Sequence, residues 1–443
     1  MPAPLEKVPG KAWVVTFAGT AVNLCLGILY AWSVWNARLT VPSVGGKIDK
    51  ALIGTPLPGI NSAWTYLSNA EAALPLSLCV IMFALLMIPG GRIQDKYGPK
   101  VGATLGGLFL AGGCILAGLL KSYTGLIVGF GIMGGIGMGI GYAAPTPAAL
   151  KWFGPHKRGL IAGLVVGGYG GAALYIAPLA TWLIDNYGLS GSFIILGVFF
   201  AVVVIIAGQL LAWPPAGYVP PGAPAAKAGS PAKTAQTSYD WSASEMVKTW
   251  QFFALIVMFA GTTQSGLLVI NNALGIGKGL LGASAFILVS FGGLINALGR
   301  VGTGMYSDKI GRANAYTVNC IISALCLFMM PTILGSKSIP LMFIAIGIAY
   351  WQYGGGLALM PSFTADFFGP KNLGFNYGLV FIGWGLGFFM PQIGGVIKDM
   401  TGSLNWAFYL SGMVLIAAVV LARLTKRPSA EQVRANAAAA AAK

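Results

Sequence analysis

Charged residues are scarce in this sequence of 443 residues. Asp, Glu, Lys and Arg make up 9% of the chain, against roughly a quarter in a typical soluble domain. Hydrophobic residues make up 56%, and the mean hydropathy is +0.77. Because so little polar surface cannot cover a soluble globule of this size, the composition indicates a membrane protein.

Groups that hold metals, relay protons or cross-link a chain are equally rare. The sequence has 11 acidic residues, one histidine (His156) and five cysteines. The cysteines lie in apolar segments without a C-x-x-C pair or a neighbouring histidine, at Cys25, Cys79, Cys114, Cys320 and Cys326. We therefore expect no metal site, no cofactor and no disulfide framework. No short apolar core with an A-x-A cleavage site opens the sequence, so we expect the N-terminus to be retained.

Apolar segments of membrane length are abundant instead. A helix needs about 20 residues to cross a ~30 Å hydrocarbon layer. The predicted fold class is an all-α membrane protein with twelve transmembrane helices, and the 65 glycines would let these helices approach closely. We place the spans at 12–35, 71–90, 101–120, 124–150, 158–183, 191–213, 249–275, 281–306, 313–334, 339–366, 373–397 and 403–424.

The lysines and arginines predict how the spans are oriented. If both termini lie on one side, that side collects 19 of the 27 basic residues and the other side seven, while Arg300 alone lies within a span. The positive-inside rule then places both termini in the cytoplasm, with the chain crossing the cell membrane many times. This topology and anionic lipid headgroups account for the net charge of +16, so nucleic acid is not expected as a partner.

Two segments of different composition interrupt the spans. Residues 36–70 form an outer loop that is long for a helical connection and suggests a small cap over the outer mouth. Residues 214–247 form a flexible linker that ends in a short interfacial helix, where Ser242 and Glu245 have capping-box spacing. The predicted domains are a six-helix bundle at 1–213, the cytoplasmic linker at 214–247, a second six-helix bundle at 248–424 and a cytoplasmic tail at 425–443.

The two predicted bundles carry an internal repeat. The loop after the second span reads GRIQDKYG (91–98), and the loop after the eighth reads GMYSDKIG (304–311), at an offset of 213 residues. WFGPHKRG (152–159) and FFGPKNLG (367–374) follow the fourth and tenth spans at an offset of 215. Matches in the same order at nearly the same offset indicate two homologous halves.

The doubled G-x-x-x-D-K-x-G motif resembles the cytoplasmic signature of the major facilitator superfamily, and the resemblance covers essentially the whole chain. It implies two pseudo-symmetric six-helix bundles that rock about a central site and so give alternating access. A carboxylate with basic residues at a helix junction can bind a helix end in one state and release it in the other. The expected gating residues are Gly91, Asp95, Lys96, Gly98, Arg158, Gly304, Asp308, Lys309 and Gly311.

Arg300 lies deep in the eighth span, in the stretch GGLINALGRVG (292–302). It is eight residues from Asp308, which marks the cytoplasmic end of the span, so a rise of 1.5 Å per residue places it about 12 Å into the membrane. A charge at such depth costs roughly 2.5–3.5 kcal/mol, and such residues are usually functional. The structural alternative is that backbone carbonyls of a neighbouring helix bind the guanidinium.

Only one half of the repeat carries this charge. The offset of 213 pairs Arg300 with Met87 and Asn296 with Phe83. Because a guanidinium binds one carboxylate bidentately, a site with a single buried cation suits a substrate with a single negative charge. Oxalate would leave one of its two carboxylates unpaired unless a proton entered with it.

Polar and aromatic residues of the other central spans complete the predicted site. Their hydroxyl, indole and amide groups can orient a small acid, although helix packing is an alternative role for each aromatic residue alone. The predicted substrate-binding residues are Arg300, Asn296, Tyr30, Tyr142, Tyr169, Tyr353, Trp384 and Gln264.

Within the superfamily, the sequence is similar to the oxalate:formate antiporter group, which is related to the monocarboxylate transporters. The resemblance implies that Arg300 binds the substrate carboxylate. Asn296 stands where monocarboxylate transporters often have an aspartate, and Trp384 stands where oxalate exchangers have a lysine. The motifs that carry the resemblance are GILYAW (27–32), KWFGPHKRGLIAG (151–163), SEMVKTWQFF (244–253) and SDKIGR (307–312).

These observations predict a secondary active transporter that moves a small monocarboxylate, such as lactate or pyruvate, together with a proton. We expect a monomer whose partners are the anion, the proton and membrane lipids. An anion exchanger of the oxalate and formate type stays open, because no Asp or Glu falls deep within a predicted span to carry the proton. A membrane-embedded sensor or enzyme is a further alternative, but the sequence shows no nucleophile, metal set or signalling domain for it.

Overall fold

The structure is a computed structural model that describes residues 8–44, 47–153, 158–215, 218, 239–369 and 372–429. Nearly all of these residues are helical, and ten helical segments are long and apolar enough to cross a membrane. This confirms the predicted all-α membrane fold. The exception to the helices is a ribbon in the outer loop, where strand β1 (Ser43–Val44) pairs antiparallel with β2 (Lys47–Ile48).

Two of the ten segments are too long for a single pass. Gly163–Leu210 has 48 residues and Trp250–Ser307 has 58, which at 1.5 Å per residue exceeds twice a ~30 Å hydrocarbon layer. Each segment reverses at a glycine with positive φ, at Gly188 (φ 72°) and at Gly282 (φ 53°). Counted with these two reversals, the described residues make twelve passes.

We label the passes α1 to α12 in chain order. In the first half, α1 is Gly10–Leu39, α2 is Asn69–Tyr97, α3 is Pro99–Leu120, α4 is Tyr123–Leu150, α5 is 158–187 and α6 is 189–210. In the second half, α7 is Trp250–Leu281, α8 is Phe286–Ile310, α9 is Arg312–Gly335, α10 is Ile339–Phe368, α11 is 373–401 and α12 is Asn405–Leu424. A short helix, Ala243–Met246, precedes α7.

The turns between passes reproduce the repeat of the sequence. Gly98 joins α2 to α3 with φ 90° and ψ 165°, and Gly311 joins α8 to α9 with φ 91° and ψ 149°. A side chain is disfavoured in this region of φ, which explains why glycine occupies the position in both halves. The two copies of the motif therefore form the same turn.

The predicted linker is described only at its ends. Its last part begins at Tyr239, and the backbone N–H of Ser242 donates to the Glu245 carboxylate at 2.7 Å, as in the predicted capping box. Most of residues 214–238 and the end of the tail, 430–443, lie outside the described residues. The proposed domain boundaries therefore stay predictions.

The outer loop packs on the start of α6. Asn61 Oδ1 accepts the backbone N–H of Leu189 at 2.7 Å, and the Trp64 indole donates to the Ser190 hydroxyl at 2.9 Å. Trp64 is buried, as is Leu57 beside it in the loop. The loop is therefore a folded cover for the end of the first bundle.

At this outer end, the two six-helix bundles are held together by polar contacts. Asp399 of α11 accepts hydrogen bonds from the backbone N–H groups of Asn69 and Ala70 at the start of α2, both at 2.9 Å. Asn36 of α1 donates to the backbone carbonyl of Asn271 in α7 at 2.8 Å. The bundles are thus closed against each other at the end that carries the outer loop.

Candidate substrate-binding site

A cavity of about 920 Å³ lies between the bundles, and Arg300 lies at its inner end. The lining residues come from α2, α4, α5, α8, α9, α10, α11 and the residue that follows α4. Several of them, including Asp95 and Lys151, lie at the helix ends opposite the outer loop. The cavity therefore extends from Arg300 toward the predicted cytoplasmic face, while the opposite face is closed.

Arg300 is 5% exposed and makes three hydrogen bonds. Its Nε donates to Asn296 Oδ1 at 3.3 Å, its Nη2 to the Tyr30 hydroxyl at 2.9 Å, and its Nη1 to the Val166 carbonyl at 3.4 Å. A guanidinium has five N–H groups, so at most two remain outside these three bonds, and the Tyr142 phenol also interacts with Arg300. Two is also the number of N–H groups that a bidentate carboxylate accepts from.

Tyr30 reaches Arg300 because α1 changes its helical geometry there. Residues Gly27–Ala31 form a 3-10 segment between two α-helical parts of α1. A Cβ atom at Gly27 would lie 2.4 Å from the Tyr169 carbonyl oxygen, so only glycine allows this close approach of α1 to α5. Short 3-10 stretches within a helix often mark functional positions.

Hydroxyl groups extend the polar contact of Arg300 across the bundle interface. The Tyr30 hydroxyl lies 3.2 Å from the Tyr353 hydroxyl of α10, and the Trp384 indole of α11 donates to Tyr353 at 2.9 Å. All three side chains are buried. The structure thus joins five of the predicted site residues in one hydrogen-bonded chain, which runs Asn296, Arg300, Tyr30, Tyr353, Trp384.

Tyr142 and Tyr169 lie in an aromatic cluster beside this chain. Their rings are 5.0 Å apart, and Tyr169 stacks edge-on to Tyr30 at 5.4 Å. Phe83 packs against both tyrosines, at 5.4 and 5.7 Å, and against Trp384 at 4.8 Å. Of these, Tyr142 also lines the cavity, where its phenol interacts with Arg300. The aromatic cluster closes the inner end of the cavity.

The structure places one predicted site residue, Gln264, elsewhere. Its amide nitrogen donates to the Gly261 and Ser411 carbonyls at 3.1 Å, and its amide oxygen accepts from the Ser411 hydroxyl at 2.9 Å. These partners belong to α7 and α12, so the amide is saturated away from the cavity. Its position in a central span did not reveal which face of α7 it occupies.

Tyr377 of α11 lines the cavity but was not among the predicted residues. It precedes Trp384 by seven residues and Phe381 by four, so the three rings share one helix face. Their ring centroids are 5.7 Å apart for Tyr377 and Phe381 and 5.0 Å for Phe381 and Trp384. The spacing of seven residues from the predicted site residue Trp384 is the feature of the sequence that indicates Tyr377.

Residues of the repeated motif surround the mouth of the cavity. Those that line it are Gly91, Asp95 and Gly304. Lys96 lies over the ring of Tyr97 at 5.2 Å, and Lys309 is exposed. The side chains of Asp308 and Arg158 lie outside what the structure describes, so their gating roles stay predictions.

Basic side chains dominate the charged lining of the cavity. Arg92, Lys151, Arg300 and Arg312 line it, together with one acid, Asp95. Arg312 is paired with Asp366 at 3.7 Å. A concave surface of one sign of charge with low-dielectric walls raises the local concentration of oppositely charged ligands. The lining therefore favours anions.

Comparisons with known proteins agree with this architecture. The chain is 30% identical to the oxalate:formate antiporter of Oxalobacter formigenes over 336 residues, 73% of this chain and 77% of that one. It is 25% identical to apicoplast pyruvate carrier 1 of Toxoplasma gondii over 439 aligned residues, which cover 82% and 79% of the two chains.

A solved structure shows the same fold. The xylose transporter XylE from E. coli, in a partially occluded inward open conformation, superposes with a TM-score of 0.64 at 11% identity and covers 93% of this chain and 98% of its own. The sequence model of the Major Facilitator Superfamily matches residues 24–364, more than half of the chain. The protein therefore belongs to the Major Facilitator Superfamily, and it is a membrane transporter rather than an enzyme.

Proposed function

We propose that this transporter carries a small monocarboxylate such as lactate or pyruvate, coupled to a proton, by alternating access. The observation that carries the proposal is Arg300, a buried guanidinium at the inner end of the cavity whose bonds to Asn296, Tyr30 and Val166 use three of its five N–H groups. A carboxylate bound there forms two charge-assisted hydrogen bonds and neutralises the buried charge.

The charges of the site favour a substrate with one negative charge. Among the described residues that line the cavity, Arg300 is the one basic residue at mid-span depth, whereas Arg92, Lys151 and Arg312 lie toward the mouth. The Trp384 indole does not donate to a second carboxylate of the substrate, because it donates to the Tyr353 hydroxyl. A dianion at this depth would therefore keep one carboxylate unpaired, which is costly in a low-dielectric site.

The relatives support the class of substrate. The names of two of them specify oxalate, formate and pyruvate, all small carboxylates. The basic lining of the cavity agrees with such anions, because it attracts them from the predicted cytoplasmic side. By the positive-inside rule both termini lie in the cytoplasm. The proposal includes that the protein lies in the cell membrane and works as a monomer.

The proton travels with the substrate in this proposal. Among the described spans, the acidic residues lie at the ends: Glu71, Asp185 and Asp399 at the outer end, and Asp95 and Asp366 at the other. No carboxyl group of these spans is therefore placed at the depth of Arg300 to store a proton. Because the substrate carboxylate is ionised when it pairs with Arg300, the coupled proton is carried by a group other than that carboxylate.

The test is uptake of labelled lactate by the purified protein in proteoliposomes. Arg300→Lys keeps the charge but removes the planar fork, so we expect uptake under a pH gradient to fall by about tenfold or more. Arg38→Lys is the matched control, because Arg38 pairs with Asp185 at 2.6 Å at the outer surface and lies outside the cavity. Equal uptake by wild type and Arg300→Lys would refute the carboxylate clamp.

Anion exchange is the second candidate, and the absence of a mid-depth carboxyl group from the described spans favours it. The oxalate:formate antiporter among the relatives works by exchange, as its name states. Proton coupling requires uptake into liposomes that contain no substrate when the outside is acidic, and a protonophore must abolish it. If uptake instead needs an internal carboxylate and ignores the pH gradient, the protein is an exchanger.

A further inference from the structure

The repeat places two unlike side chains at equivalent positions of one cavity. Met87 precedes Asp95 in α2 by eight residues, just as Arg300 precedes Asp308 in α8. In this superfamily the halves are related by an axis along the membrane normal, so equivalent residues lie at the same depth on opposite sides of the axis. Both Met87 and Arg300 line the cavity, one from each bundle.

The residue one turn before Arg300 is polar, whereas the residue one turn before Met87 is apolar. Asn296, one turn before Arg300, bonds its Nε. Phe83, one turn before Met87, instead packs among the rings of Tyr142, Tyr169 and Trp384. At the equivalent positions of the repeat, α8 thus presents a charged side chain to the cavity and α2 presents an apolar one.

The cavity has further apolar lining residues, one beside Met87 in α2 and one in the second bundle. Ile88 of α2 and Leu357 of α10 also line the cavity, and Leu357 is 9% exposed. A methionine side chain is flexible and polarisable, so it adapts to hydrocarbon groups of different shape. In the part of the first bundle that the structure describes, no charged group of the lining lies at the depth of Met87, since Arg92 and Asp95 are one to two turns nearer the mouth.

We propose that Met87 determines specificity by binding the uncharged tail of the substrate whose carboxylate is held by Arg300. The inference rests on the proposed function and narrows it to monocarboxylates with a hydrocarbon tail that reach from one bundle to the other. A second carboxylate on the substrate would meet the Met87 thioether and stay unpaired, so dicarboxylates are excluded at this end. The first bundle, which lacks a cation at the position equivalent to Arg300, is therefore the half that selects substrates by their tail.

The test is to replace the apolar side chain of Met87 with a cation. Met87→Lys introduces a second positive charge at the depth of Arg300, so malonate and succinate should compete for labelled lactate uptake about tenfold better, relative to butyrate, than they do in wild type. Leu150→Lys is the matched control, since Leu150 lines the same cavity nearer its mouth. It adds the same charge at a different depth and should leave the preference unchanged.

A second variant, Met87→Ala, tests the proposal even if Met87→Lys does not fold. Met87→Ala keeps the surface apolar but enlarges it, so the ratio of hexanoate to propionate competition should rise by about threefold or more relative to wild type. Ligand-dependent shifts of the thermal unfolding midpoint give the same comparisons without transport.

The two proposals fail in different ways in this experiment. If wild type neither transports nor binds any monocarboxylate, the proposed function fails and the role of Met87 fails with it. If wild type takes up lactate but Met87→Lys and Met87→Ala keep its preferences, only the role of Met87 is refuted. A gain for dicarboxylates in Leu150→Lys as large as that in Met87→Lys also refutes it, because depth would then not matter.

Discussion

At the scale of single residues, the partners of Arg300 define the state that the structure shows. Tyr30 and Val166 belong to the first bundle and Arg300 to the second, so two of its three hydrogen bonds cross the interface. Hydrogen bonds to charged groups contribute about 1.5–3 kcal/mol each. Tyr142 of the first bundle also interacts with Arg300, so a substrate carboxylate that displaces any of these groups changes the contact between the bundles.

Asn296 offers the most direct test of how the charge of Arg300 is controlled. In Asn296→Asp a carboxylate would replace the amide oxygen that lies 3.3 Å from Arg300 Nε. We expect the KM for lactate to rise by about tenfold at neutral pH, because the internal carboxylate competes with the substrate for the guanidinium. The defect should shrink as the pH falls, since the introduced carboxyl group no longer neutralises Arg300 once it is protonated.

Asn296→Leu is the control for this prediction. It removes the hydrogen bond to Nε without adding a titrating group, so its KM relative to wild type should not depend on pH. Transport assays of the three proteins across the acidic to neutral range make the comparison. A defect of Asn296→Asp that is independent of pH would contradict competition between the introduced carboxylate and the substrate.

At the scale of elements, the outer closure depends on where helices begin and end. Asp399, near the end of α11, binds two N–H groups at the start of α2, where the helix has no internal acceptors for them. The helix dipole adds to this interaction, because a carboxylate is favoured at a helix N-terminus. One residue of the second bundle thus caps a helix of the first.

Asp399→Ala should therefore weaken the closure of the outer end. We expect faster hydrogen exchange, by about tenfold or more, in peptides that cover the first turn of α2, because Asn69 and Ala70 lose their acceptor. Asp185→Ala is the matched control, since Asp185 forms an ion pair at the outer surface with Arg38 of its own bundle. Equal acceleration in both variants would mean that any loss of surface charge loosens this end.

The fold was predictable from the sequence to a greater extent than the site. Apolar length and the doubled motif predicted the spans and their repeat, because both are properties of single segments. The reversal at Gly188 falls in the break between the fifth and sixth predicted spans, whereas Gly282 lies just inside the predicted start of the eighth span. Gln264 and Tyr377 show the limit: which face of a helix meets the cavity depends on packing between helices, and in apolar spans the sequence pattern records that face weakly.

At the scale of the whole molecule, the predicted orientation is open to a simple test. The five native cysteines are buried, so an introduced thiol can be labelled selectively. Ile60, in the outer loop, is 64% exposed, and Ser429, after α12, is exposed. In intact cells we expect a membrane-impermeant maleimide to label Ile60→Cys, and to label Ser429→Cys only after the membrane is opened. The reverse pattern would invert the topology.

The chain of hydroxyl groups at the inner end of the cavity has a consequence for ligand recognition. Tyr30 accepts a hydrogen bond from Arg300, and Tyr353 accepts one from Trp384, while a single O–H can lie between the two hydroxyl oxygens. The hydroxyl group that does not donate between them, either Tyr30 or Tyr353, can donate a hydrogen bond to another acceptor. Exchanging these two arrangements requires only rotation about C–O bonds. The site can thus present a hydrogen-bond donor at either Tyr30 or Tyr353 without moving a helix.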